Sequence, residues 1–299
     1  MSDLEFLTDP DAFLAAAGEH LASDPVLTTV VAATSQRMSH DAADGVPWPA
    51  SVPRWWLVVR GEQGEVVGVG MRTAPFEPYP PYLLPMPDDA AVGLARALHD
   101  RGEEVRGVNG ALPATRRCAD ELARLSGGTA EVAQHMRLFE LGDLVAPRAP
   151  AGRLRPASQD DVELALAWYA AFARDADVQA GRTPGAHHDV GEDHASMSRR
   201  IAGGRLWFWV DEAGERVHLT GANPPAYGVA RIGPVYTPRG HRGRGYASAA
   251  VAEVSRRIVA DGARACLFTD QANPTSNRIY QALGYRPVVD MANLLVASP

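Results

Sequence analysis

Arg242-Gly243-Arg244-Gly245-Tyr246-Ala247 follows the apolar run that begins at Val229 and precedes a stretch in which Ala247, Ala250, Val251, Val254 and Ile258 recur at helical spacing. That order reads as strand, glycine-rich turn, helix N-terminus. Such a turn offers several backbone N–H groups to an anion, and the helix dipole favours negative charge there. Gly243 and Gly245 let the backbone come close to a ligand without steric cost. Arg242 and Arg244 add fixed positive charge suited to phosphate oxygens. The stretch predicts a pyrophosphate site; its bland alternative is a glycine-rich turn with solvated arginines.

What is missing narrows the kind of phosphate site. The chain contains no lysine, so all 29 basic residues are arginine. A P-loop needs a Gly-Lys-Ser/Thr end and cannot exist here. Pyridoxal phosphate and Schiff-base lysine chemistry are excluded for the same reason. The dinucleotide fingerprint spaces its glycines as G-x-G-x-x-G, whereas this turn runs G-x-G and then Ala247.

The sequence beyond the turn extends the pattern. Gly262 stands where a helix C-cap is expected, and Ala265, Leu267 and Thr269 then alternate with Cys266, Phe268 and Asp270 as a strand. Strand, helix and strand with a crossover of this length imply a parallel pair joined right-handedly. The turn therefore lies at the carboxyl end of the first strand, where open α/β sheets hold ligands. Thr275 or Ser276 can cap the following helix, which ends at Gly284.

The turn resembles the R-x-x-G-x-A signature of the GNAT acyltransferase superfamily, with Arg242, Gly245 and Ala247 in the three defined positions. Tyr227 to Thr237 looks like the family's central strand. Asn273-Pro274-Thr275-Ser276-Asn277, Tyr280 and Leu283-Gly284-Tyr285 resemble its N-x-x-S/A-x-x-x-Y-x-x-L-G-F/Y segment. The resemblance covers roughly sixty residues, with both motifs in the family's order. It implies that residues 242–247 grip the pyrophosphate of coenzyme A. It also implies that Val235, Tyr236 and Thr237 hold the pantetheine arm and that Asn273, Ser276 and Asn277 are coenzyme contacts. Acetyl-CoA is the expected co-substrate, and no metal is expected. Tyr280 corresponds to the tyrosine often assigned as general acid for the leaving thiolate. Its ordinary pKa keeps the phenol protonated at neutral pH, so it has a proton to give. The alternative for Tyr280 is a packed aromatic, and for Asn273 a turn residue opening a helix.

Composition sets the frame. At 299 residues two domains are the natural prior. The net charge of −7 argues against a nucleic-acid partner. With only Cys118 and Cys266, neither a disulfide framework nor a cysteine zinc site is plausible, and Cys266 reads as core filler. The first residues lack the basic start and apolar core of a signal peptide, and no apolar run spans a membrane. A cytoplasmic protein with no membrane partner is expected; the oligomeric state is left open.

The expected fold is α/β, with a mixed, partly parallel central sheet flanked by helices, in two tandem copies. Residues 1–145 form the first copy, 146–153 a linker with Pro147, Pro150 and Gly152, and 154–299 the acetyl-CoA-binding copy. The first copy reads as degenerate. Before its helix at Asp89 stand Pro78, Pro80, Pro81, Pro85 and Pro87, which have no N–H to offer a phosphate. It is expected to shape the acceptor site or the scaffold.

The predicted function is N-acyl transfer, acetyl passing from acetyl-CoA to a primary amine of a small molecule or peptide by direct attack. The alternative is a non-catalytic acyl-CoA sensor or interaction module. The general base is undecided. Asp270 ends a strand beside the pantetheine path, and His218 lies in a hairpin strand. The cluster His187, His188, Asp189, Glu192, Asp193 and His194 looks like metal chemistry at first sight. It is glycine-flanked and has no paired histidines on a clear helix, so it reads as a loop near the acceptor.

Overall fold

A computed structural model describes residues 2–179 and 193–297. They fall into two compact units, Met1–Arg137 with Val289–Pro299, and Leu138–Val288. Among the described residues no helix is long and apolar enough to cross a membrane.

The first unit runs β1 (Asp3–Leu7), α1 (Pro10–Ser23), α2 (Thr29–Ala43), β2 (Trp55–Arg60), β3 (Val66–Arg72), β4 (Tyr82–Leu83), α3 (Asp88–Asp100), β5 (Gly107–Ala111), α4 (Ala114–Ser126) and most of β6 (Thr129–Leu141). Asp9 caps α1 by accepting from Asp11 N, and Pro10 opens the helix where its missing N–H costs nothing. β1, β2, β3 and β4 pair antiparallel in sequence, then β4 pairs β5 in parallel. Gly110 makes that parallel contact possible: at φ +131° its backbone lies so close to β4 that a Cβ would meet Leu83 O at 2.0 Å. The apolar stripes of α3 and α4, Leu94, Leu98, Cys118 and Leu122 among them, close over Leu57, Val59 and Val108 of the sheet. Burial also pushes the Cys118 thiol up to about 12, so it is an inert core residue.

The second unit contains β7 (Arg153–Pro156), α5 (Val162–Gln179), α6 (His194–Ala202), β8 (Leu206–Val210), β9 (Arg216–Ala222), β10 (Val229–Tyr236), α7 (Tyr246–Ala260), β11 (Arg264–Asp270), α8 (Pro274–Ala282) and the start of β12 (Tyr285–Ala297). Its strands repeat the plan: β7, β8, β9 and β10 pair antiparallel and β10 pairs β11 in parallel. Each unit's strands are thus mixed, partly parallel, as the sequence predicts.

Each unit takes one of its strands from an unexpected place in the chain. In the first unit β5 pairs antiparallel with β12, Met291 opposite Ala111 through Leu295 opposite Gly107. Ala292, Leu294 and Val296 bury there among the α3 and α4 side chains. In the second unit β11 is followed by the end of β6, where Phe139 buries completely beside Val251 and Tyr280. Residues 289–297 therefore belong to the first unit and 138–141 to the second.

Candidate active site

The site grows out of the way β10 leaves its parallel partner. β10 and β11 are in register only from Val229 opposite Arg264 to Ile232 opposite Leu267. Beyond a register shift between Ile232 and Val235, β10 runs on to Tyr236 paired only with β9. The backbone edge from Gly233 to Tyr236 has no β11 partner, and such an edge invites hydrogen bonds from an extended ligand. A cavity of about 310 Å³ opens beside it.

Most of the residues singled out by the sequence line that cavity. Val235, Tyr236 and Thr237 come from β10 and its end, Arg242 through Ala247 from the glycine turn, and Asn273, Ser276 and Tyr280 from α8 and its cap. Gly243 and Gly245 take left-handed φ of +76° and +85°, which aims the turn into the start of α7. No side chain caps that helix. The N–H groups of its first turn have no intrahelical acceptor, so they are available to an anion.

The two arginines of the turn differ. Arg242 donates from Nε to Thr237 O at 2.9 Å and from an Nη to Asp175 Oδ2 at 2.6 Å. Asp175, on α5, also receives Arg239 at 2.8 Å and the Tyr236 hydroxyl at 3.2 Å. Burial alone would raise the Asp175 pKa, but the arginines and Tyr236 outweigh it and hold the carboxyl below its ordinary range. Burial and the Asp175 charge push the Tyr236 phenol up. Arg244 is exposed and has no ion-pair partner among the described residues. Sequence reasoning missed Asp175. The available signal was its i, i+4, i+7 spacing with Trp168 and Phe172, which meet the Tyr236 ring at 5.9 and 6.5 Å.

Tyr280 lies 7% exposed on α8, its ring edge-on to Tyr285 with centroids 6.1 Å apart. Burial pushes its phenol well above the ordinary value, so it stays protonated. Asn273 caps α8, its side chain accepting from Ser276 N at 3.1 Å. Asn277 does not line the cavity; its amide donates to Asp270 O and Asn273 O at 3.0 and 2.7 Å, closing the turn between β11 and α8.

The candidate bases have structural partners. His218 is fully buried, its ring nitrogens 2.7 Å from Thr237 Oγ1 and 2.6 Å from Thr220 Oγ1. Burial depresses it to about 3, so it is neutral at ordinary pH. Asp270 accepts from Ala272 N at 2.8 Å and shapes a turn. Asp193 caps α6 through Ser196 N, and His194 stands 3.7 Å from Glu163. His187, His188, Asp189 and Glu192 lie outside the described residues. Among the described residues no group of three or more His, Cys, Asp or Glu side chains could hold a metal.

Comparison with known proteins gives a matching picture. Residues 223–293 match a family model described as FR47-like protein. No curated protein matches the chain in sequence. Among solved structures, an acetyltransferase from the GNAT family of Colwellia psychrerythraea is similar with TM-score 0.57 at 11% identity, over 99% of this chain and 100% of that one. A GCN5-related N-acetyltransferase from Sphaerobacter thermophilus gives 0.58 at 17%, over 98% and 94%. A tandem GNAT protein from the clavulanic acid biosynthesis pathway gives 0.56 at 17%, over 98% of each chain.

Proposed function

Starting from a chain with the GNAT fold, we propose that it is an acyl-CoA-dependent N-acyltransferase, moving acetyl from acetyl-CoA to a primary amine of a small molecule or peptide. The observation that supports this reading is the cavity shared by the uncapped start of α7, the unpaired end of β10 and the Tyr280 phenol. A thioester whose phosphates sit on the turn and whose arm lies along β10 would bring its sulfur toward α8.

In this reading the first-turn N–H groups of α7 bind the pyrophosphate, helped by Arg244. The stretch Val235, Tyr236 and Thr237 orients the pantetheine arm, and a backbone N–H there polarises the carbonyl. The amine attacks the thioester carbonyl, Tyr280 gives its proton to the sulfur as the C–S bond breaks, and the proton shed by the nitrogen returns to the phenolate through solvent. Asp175 acts indirectly, by holding Arg242, Arg239 and Tyr236 together behind the turn. The first unit has no comparable turn: α3 opens after Pro85-Met86-Pro87, and no side chain caps it. We propose it as a copy without a coenzyme site, so one acetyl-CoA binds per chain.

Calorimetry with acetyl-CoA, followed by a thiol-release screen against amines, peptides and aminoglycosides, tests the reading. One site per chain with amine-dependent thiol release supports an enzyme. Tight binding with no release by any amine would favour an acyl-CoA sensor, and no binding would refute both.

A further inference from the structure

The four arginines around the glycine turn are not equivalent. Arg239 and Arg242 share the single carboxylate of Asp175. Arg244, just before α7, and Arg278, on α8, are exposed, line the same cavity and pair with no carboxylate among the described residues. The cavity wall therefore carries two uncompensated positive charges on two separate elements. A pyrophosphate seated on the α7 amides accounts for Arg244. It does not account for Arg278, which lies a turn into a different helix whose own N-terminus is already served by Asn273.

From this surplus we infer that Arg278 receives a second phosphate set apart from the pyrophosphate, the 3′-phosphate on the ribose of coenzyme A. Arg278 is then a specificity residue that favours the 3′-phosphorylated coenzyme over its dephospho form. The inference rests on the acyl-CoA reading above. A terminal phosphate monoester offers three acceptor oxygens and close to two charges at neutral pH, and a guanidinium fork matches two of those oxygens at once. The diphosphate linkage of the dephospho form lacks that group while keeping everything else the turn recognises.

Calorimetry at fixed salt, comparing acetyl-CoA with acetyl-3′-dephospho-CoA, tests this on the full chain. The wild type should prefer acetyl-CoA by about tenfold or more, the range of a charge-assisted hydrogen bond. Arg278→Ala should weaken acetyl-CoA alone and bring the two ligands close together, with the dephospho affinity unchanged. Arg278→Lys, which keeps the charge without the fork, should restore part of the preference. Equal wild-type affinities would overturn the inference and leave the acyl-CoA reading standing. So would an equal loss for both ligands in Arg278→Ala, which would assign the residue to the pyrophosphate. Failure of the wild type to bind either ligand would overturn both.

Discussion

Position 245 tolerates a side chain in space but not in backbone conformation. Gly245 sits at φ +85°, and the nearest protein atoms to a Cβ there are Pro150 Cδ at 3.9 Å and Arg148 O at 4.0 Å, ordinary contacts. Gly245→Val should therefore strain the turn yet still fold, while acetyl-CoA binding disappears from calorimetry; unchanged affinity would mean that the phosphates lie elsewhere. Tyr280 makes a separable prediction. Removing its hydroxyl as Tyr280→Phe keeps the edge contact with Tyr285. It should lower kcat by ~10²–10⁴ with little change in acetyl-CoA affinity, and wild-type turnover would leave the ring a packing role. The glycine turn was legible from its place between strand and helix, and Tyr280, which lines the same cavity, entered through the family resemblance. Asp175 was not, because its meaning lies in contacts with Tyr236, Arg239 and Arg242, more than sixty residues away along the chain.

At the scale of elements, β9 and β10 carry a buried switchable group. His218 is depressed to about 3 by burial between Thr220 and Thr237. An unfolded chain protonates this imidazole near pH 6.5, whereas the folded one refuses the proton. Its contribution is thus fully present above that pH and is lost as the pH falls toward 3. His20, also lowered by burial, adds in the same direction. Denaturant midpoints should fall between pH 7 and pH 5, and His218→Gln should flatten that slope whatever it does to the stability at pH 7; an unaltered slope would remove His218 as its cause. α7 was legible from its helical spacing, and β10 from the apolar run ahead of the glycine turn and its likeness to a family strand. The edge strands β1 and β7 were not: each is short and partly exposed, with no alternation to announce it.

For the whole molecule, the division of residues between the units decides which pieces can stand alone. Phe139 is fully buried in the second unit's core, so a fragment starting at residue 150 loses it. Deleting a buried phenylalanine side chain costs about 3–5 kcal/mol. Residues 150–299 should aggregate, whereas 138–288 should be soluble and bind acetyl-CoA; comparing the two by size-exclusion chromatography and calorimetry checks this, and equal behaviour would contradict it. The proline-rich stretch from Pro147 to Pro150 drew attention as a linker on composition, while nothing in the sequence of Val289 to Ala297 announces which sheet it completes. That exchange also carries a consequence for biosynthesis. The second unit is contiguous, but the first cannot complete its core without Ala292, Leu294 and Val296, the last of its residues to be made. Chains truncated after residue 288 should therefore be cut by protease within residues 1–137, and full-length chains should resist.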